Sequence, residues 1–220
     1  MVYLFSINEK IETDIKDVYR YSGIKENNDK NLQNAVLEVK KEVENAFTPT
    51  LCYTKISLEN DTLNFLGEPV NSKNLQKNLK DCESVYVFAA TAGIEIDRII
   101  NKYLTLSPSR AVIAQGAGTA ITEALCNLFC KKIAEEEIKN NNYLRPRFSP
   151  GYGDFSLEYQ KNILDILSAQ KLTGITLTDS LLMVPVKSVT AVMGVSKKDT
   201  SCNLSGCEMC NKKECIYKRG

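Results

Sequence analysis

Histidine and tryptophan are both absent from the 220 residues. Without an imidazole the chain can build no Ser-His or Cys-His triad and no histidine-ligated metal site. Also absent is any run of about 18 apolar residues, the length a membrane-spanning helix needs. The opening segment, Met1 to Phe5, is apolar but short, and acids and lysines follow closely, so it does not read as a secretory signal. There is no excess of one charge either: 28 basic residues stand against 27 acidic ones. That balance gives no reason to expect a nucleic acid or an anionic membrane as partner. No internal repeat or low-complexity segment is visible. The length suffices for one domain with a full core, and no second domain is needed. The expectation is a cytoplasmic protein.

Eight cysteines are present, and without a signal peptide they suggest thiols or a metal site in a reducing compartment rather than a disulfide scaffold. They fall into two groups. Cys52, Cys82, Cys126 and Cys130 lie in apolar patterns and read as buried core thiols. Cys202, Cys207, Cys210 and Cys215 place four thiols within fourteen residues, a strong ligand signal. Gly206 gives the backbone room to turn around a metal. Tetrahedral zinc and an iron–sulfur cluster both accept four thiolates. A zinc ribbon would show two paired knuckles, and only Cys207 and Cys210 are paired here. A tail of free thiols is the alternative. The chain thus divides into residues 1–200 and a cysteine-rich tail, 201–220.

Residues 8–22 read as a first helix, stopped at Gly23. Residues 26–30 are a polar linker. Leu32, Ala35, Val36, Val39, Val43 and Phe47 recur at helical spacing, which predicts an amphipathic helix over 29–47 ending before Pro49. A strand over 51–58 follows, then a turn at Asn60-Asp61 and a return strand over 62–66. Leu75 and Leu79 mark a short helix. The apolar run 84–90 predicts a central strand, and 94–103 a helix. From Ser109 to about Asn140 the pattern is helical, its first half rich in small residues including Gly116 and Gly118. Each of those glycines costs about 1 kcal/mol against alanine in a helix, which close packing against another element or a ligand can offset. One helix is expected from Leu157 to Gly174, then short strands over 175–178 and 186–196.

The stretch Arg145 to Gln160 stands apart. It holds two arginines, two prolines, two glycines, two tyrosines and two acids. Pro150-Gly151 predicts a turn with proline second and glycine third. Arg147 sits just outside that turn, and its planar fork suits a carboxylate or phosphate. Ser156 can cap the following helix, with Glu158 in the first turn. By composition alone this could be a surface loop between helices, and Glu123 could be a partly exposed helical acid.

The segment Arg147-Phe-Ser149-Pro150-Gly151-Tyr152-Gly153-Asp154, with Leu177-Thr-Asp179-Ser180 through Pro185-Val-Lys187-Ser188-Val189, resembles the activation domain of cobalamin-dependent methionine synthase. Ala90 to Arg98 resembles a further segment of that family. The likeness covers roughly residues 10–200 and is best between 85 and 196. It implies an α+β fold, a bent, largely antiparallel sheet flanked by helices, and a loop that cradles S-adenosylmethionine. Carried onto this chain, Arg147 would pair with the ligand carboxylate. Backbone groups near Ser149 and Gly151 would reach its amino group or adenine, and Tyr152 would offer ring and hydroxyl. Glu123 is the match for an acid on the preceding helix that contacts the ligand. Where the fused enzymes place an aromatic residue, this chain has Ala191-Val192-Met193, and their acid from an N-terminal arm has no match here.

The function so implied is reductive reactivation: with an electron donor and S-adenosylmethionine, cob(II)alamin becomes methylcobalamin. The chain begins almost where an activation domain begins, and lacks an imidazole for cobalt. The expectation is therefore a free-standing subunit serving a corrinoid-carrying methyltransferase in trans, such as methionine synthase. Two rivals stand beside it. One is a non-catalytic partner of a corrinoid protein that senses S-adenosylmethionine. The other is a metal-binding electron-transfer or scaffold protein in which the loop is only structural.

Overall fold

Three long strands, each carrying apolar residues on both faces, form the middle of a five-stranded sheet. The computed structural model describes residues 1–25, 28–59, 62–65 and 68–198. In chain order the elements are β1 (Tyr3–Leu4), α1 (Ile15–Ser22), α2 (Lys30–Ala46), β2 (Thr50–Ser57), β3 (Asn64–Phe65), β4 (Glu68–Pro69), α3 (Lys73–Asn78), β5 (Ser84–Thr91), α4 (Ile94–Leu106), α5 (Pro108–Ile138), β6 (Tyr143–Leu144), α6 (Tyr159–Ile166), α7 (Ala169–Thr173), β7 (Thr176–Leu177), β8 (Met183–Val184) and β9 (Ser188–Ser196). The main sheet runs β1-β2-β5-β9-β6, and every pairing in it is antiparallel. This is the expected α+β architecture. β5 lies at its centre, aligned with Tyr53 on one side and Ala191 on the other through Phe88.

Successive side chains of a strand point to opposite faces, so each face has its own core. On one face Cys52, Val85, Val87, Ala89 and Val192 pack with Leu75, Leu79, Phe155 and Ile163. On the other, Leu51, Tyr86, Phe88, Ala191, Met193 and Val195 meet Leu125, Phe129 and Ile133 of α5. The N-terminal half of α5 extends past the sheet into a helical layer built on Val18, Val36, Val39, Val43, Ile96 and Ile113. Its small residues allow that approach. A Cβ on Gly116 would lie 2.0 Å from Ser22 Oγ and 2.7 Å from Ser22 N.

Several boundaries differ from the sequence reading, for local reasons. The first helix starts at Ile15 rather than residue 8, because Asp14 caps it by accepting from Lys16 N at 2.9 Å. Thr13 is instead tied to Glu44 of α2, through its N–H at 2.8 Å and its hydroxyl at 3.0 Å. Of the segment expected as a return strand, the described residues give a single bridge from Thr62 to Glu59 and the short strand β3, which pairs with β4. The helix expected over 157–174 breaks into α6 and α7 at Ser168, whose φ of 47° is left-handed. Ser156 Oγ accepts from Glu158 N at 3.3 Å, but α6 starts beyond it, with Glu158 at the cap position. The strand expected over 175–178 is present as β7, but its hairpin partner β8 and the short edge strands β1 and β6 were not foreseen. The turn expected at Asn60-Asp61, part of the polar linker, and the four tail cysteines with their proposed metal lie outside the described residues.

Candidate functional site

The segment leading out of β6 runs antiparallel along β9, and an irregularity in that pairing places Arg147. Leu144 aligns with Val195, and Phe148 with Val192. Three residues therefore face two, which is a bulge. Pro146, which has no N–H to give a ladder, sits inside it. The extra residue inverts the alternation. Leu144 packs on the α5 side of the sheet, whereas Phe148 packs on the opposite side. Arg147, next to Phe148, thereby turns towards α5. There its NH2 group donates to Glu123 Oε2 at 3.0 Å and to Asn127 Oδ1 at 2.9 Å. Glu123 and Asn127 are four apart and share one face of the helix.

The turn that follows is the predicted one. Tyr152 N donates to Ser149 O at 3.1 Å. Pro150 is second, and Gly151 third with φ of 94°, the left-handed value a type II turn requires. Gly151 N also donates to Phe155 O at 2.7 Å. Tyr152 stands 63% exposed, its ring 6.4 Å from that of Phe148. Asp154 ties the loop to the start of α3, accepting from Ser72 Oγ at 2.5 Å, Lys73 N at 2.8 Å and Asn74 N at 3.1 Å. Those bonds hold its carboxyl below the usual range. Asp154 thus acts as an anchor that fixes where the turn is displayed.

Between α5 and the start of β9 lies a cavity of about 130 Å³, lined by Thr119, Thr122, Glu123, Val186, Lys187, Ser188 and Val189. Ligand pockets usually span roughly 300–1,000 Å³, so this cavity fits one end of a small molecule. Of the residues read from the sequence, Glu123 lines the cavity and Arg147 holds Glu123 in place. Ser149, Gly151 and Tyr152 lie on the turn that follows Arg147 and do not line it. All three of the wall's hydroxyls are committed: Thr119 donates to Gln115 O at 3.0 Å, Thr122 to Gly118 O at 2.7 Å, and Ser188 to Pro185 O at 2.6 Å. Sequence reasoning missed Thr119, Asn127 and Lys187. The one available signal for Lys187 was Gly118, which leaves room for its stem: a Cβ there would meet Lys187 Cε at 3.1 Å.

Beneath the Arg147–Glu123 pair lie Cys126 and Cys130. Burial pushes the Cys126 thiol up to about 12 and that of Cys130 up to about 11. Both are protonated at neutral pH and pack as apolar groups, Cys130 Sγ lying 3.3 Å from Met193 Sδ. Cys52, Cys82 and Cys126 are buried and Cys130 partly so, as read from the sequence. Ala191, Val192 and Met193 are at most 1% exposed and present no ring or hydroxyl. Among the described residues no cluster of three or more cysteine or carboxylate groups could hold a metal ion, and no helix is long and apolar enough to cross a membrane.

The family described as "Vitamin B12 dependent methionine synthase, activation domain" matches residues 73–209, more than half of the chain and all of the cleft. A solved structure, "Crystal Structure of the MetH Reactivation Domain bound to AdoHcy", superposes with a TM-score of 0.60 at 15% sequence identity. The match covers 91% of this chain and 79% of that one. No curated protein matches.

Proposed function

The chain belongs to the vitamin B12-dependent methionine synthase activation domain family, and on that premise we propose that it binds S-adenosylmethionine at the α5–β9 cleft and supports reductive methylation of cob(II)alamin. S-adenosylmethionine supplies the methyl group and an electron donor the electron, leaving methylcobalamin and S-adenosylhomocysteine. The observation that carries this reading is the Arg147–Glu123 contact of 3.0 Å at the wall of the cavity. It sets charges of both signs where a zwitterionic amino-acid end would enter. The solved domain of like fold was crystallised with AdoHcy, a ligand of the same class.

In this reading the chain aligns a ligand and performs no acid–base chemistry. Methyl transfer from a sulfonium requires mainly orientation and exclusion of water. Arg147 holds Glu123 so that its carboxylate faces the cleft. The Ser149–Tyr152 turn offers its backbone and an exposed ring beside it, and Asp154 fixes that turn on α3. These are the residues proposed to bind the ligand: Arg147, Glu123, Ser149, Gly151 and Tyr152.

We further propose that the corrinoid is carried by a separate methyltransferase, because the 220 residues hold no histidine to ligate cobalt, and that the protein works in the cytoplasm. Residues 1–200 form the ligand domain. The tail, 201–220, holds one metal centre through Cys202, Cys207, Cys210 and Cys215. An iron–sulfur cluster there would serve electron delivery, and zinc would serve as a structural clasp.

The test mixes the protein with a corrinoid methyltransferase in the cob(II)alamin state, a reductant and S-adenosylmethionine, and follows visible absorption. Conversion to methylcobalamin should depend on this protein. Equal conversion without it removes the reactivation role.

A further inference from the structure

We infer that Lys187 is a second ligand-binding residue of the cleft, one that takes the carboxylate of the amino-acid end. This rests on the reading above that the cleft accepts S-adenosylmethionine. Lys187 stands at the entry to β9, its stem against Gly118, and its ammonium donates to Thr119 Oγ1 at 3.0 Å. Thr119 Oγ1 in turn donates to Gln115 O at 3.0 Å. That is one hydrogen bond, to a neutral group, from a cation with three donors. Among the described residues it makes no ion pair. The nearby acid is Asp97, only 9% exposed, and it does not close the account. Its Oδ2 accepts from Val186 N at 2.8 Å, and its Oδ1 is buried without a partner. Burial lowers the Lys187 pKa, and the Asp97 charge opposes that only in part.

A desolvated, under-paired ammonium beside a ligand-sized gap favours an anion. The other charges at the wall do not supply one, since Glu123 is matched by Arg147 at 3.0 Å. The NH2 group of Arg147 is also shared with Asn127 at 2.9 Å. Lys187 is thus the one charged residue of the wall without an ion pair among the described residues. S-adenosylmethionine carries one anionic group, its carboxylate. Its sulfonium is repelled by a cation, so the amino-acid end, and not the sulfonium, faces Lys187. The cavity of about 130 Å³ suits that end alone. The Lys187 role differs from that of Arg147: Lys187 contacts the carboxylate, while Arg147 orients Glu123.

The test compares S-adenosylmethionine with decarboxylated S-adenosylmethionine by calorimetry, on wild type, Lys187→Met and Lys187→Gln. Met fills the stem's space against Gly118, and Gln keeps a donor for Thr119 without the charge. Wild type should prefer the carboxylate-bearing ligand by roughly 10–100-fold, the range of a charged hydrogen bond. Both variants should lose that preference while binding the decarboxylated ligand as wild type does, and Lys187→Arg should keep part of it. A wild-type preference retained in either uncharged variant overturns the inference and leaves the cleft reading intact. An equal loss on both ligands also overturns it, by assigning Lys187 a structural role. No binding of S-adenosylmethionine by the wild type overturns the cleft reading itself and the inference with it.

Discussion

Replacing Glu137 with alanine should destabilise the fold by about 2–4 kcal/mol, although this residue lies far along α5 from the cleft. Glu137 is 4% exposed in the last turn of a helix, where the dipole disfavours an acid. Three donors offset that. Lys55 Nζ and Tyr86 OH each reach Oε1 at 2.6 Å, and Asn142 Nδ2 reaches Oε2 at 2.8 Å. Hydrogen bonds to a charged group contribute about 1.5–3 kcal/mol each, but not additively. The Lys55 side chain is 39% exposed and regains water, whereas Tyr86, 7% exposed, loses its partner in a buried place. The first lowers the sum and the second keeps it above the worth of a single bond, which gives the stated range. A domain of this size loses about 2–4 °C in Tm per kcal/mol, so thermal unfolding followed by circular dichroism resolves the change. Burial alone pushes the Glu137 carboxyl up, but the hydrogen bonds from Lys55, Tyr86 and Asn142 outweigh it and leave it below its ordinary value. Its contribution is therefore complete above the unfolded glutamate pKa of about 4.3 and is lost as pH falls through the lower folded value. The gap between wild type and Glu137→Ala should shrink below about pH 4. Tyr86→Phe should cost about 1 kcal/mol, and much less in the Glu137→Ala background. A difference under 1 kcal/mol at pH 7, or one that persists unchanged at pH 3, refutes the reasoning.

Gly116→Ala should destabilise by about 1–3 kcal/mol, despite the roughly 1 kcal/mol by which alanine is the better helix former. The added Cβ would meet Ser22 backbone atoms at 2.7 and 3.0 Å; urea unfolding with an unchanged or higher midpoint would falsify the packing account. Protein prepared without oxygen should carry one metal centre bound by Cys202, Cys207, Cys210 and Cys215. Iron and sulfide with charge-transfer absorption identify a cluster, and colourless zinc a clasp. Absence of stoichiometric metal, with four titratable thiols in the tail, rejects both.

The parts of the fold that could be read from sequence are those whose own residues carry the pattern. α2 was placed within a residue or so because Val36, Val39 and Val43 keep helical spacing and Pro49 closes the segment. β5 was identified as central because its apolar run leaves no face for water. β1, β6 and β8 each hold two residues, and such strands exist through their partners, so no periodicity announces them. The break at Ser168 carries neither proline nor glycine, and the apolar pattern runs through Leu167 up to it.

The cleft divides in the same way. Arg147 and Glu123 came from the family resemblance, since an arginine in a loop and an acid on a helix have no period. Their contact depends on a bulge of one residue that only the register of β9 reveals. Lys187 falls within the resembling segment that ends at Val189, but no role for it emerges until Gly118 and Thr119 are brought against it. Asp97 reads as a first-turn helical acid, although it accepts from Val186 N across the cleft's back wall.

The central claim is that this chain holds S-adenosylmethionine through the Arg147–Glu123 pair at the cleft. Isothermal titration of the purified protein with S-adenosylmethionine tests it most directly, with Arg147→Ala as the comparison. The account predicts one site on the wild type and a loss of about 1.5–3 kcal/mol in the variant, because the 3.0 Å contact that holds the Glu123 carboxylate towards the ligand is then gone. No heat of binding from folded wild type, or equal affinity in a folded Arg147→Ala, contradicts it.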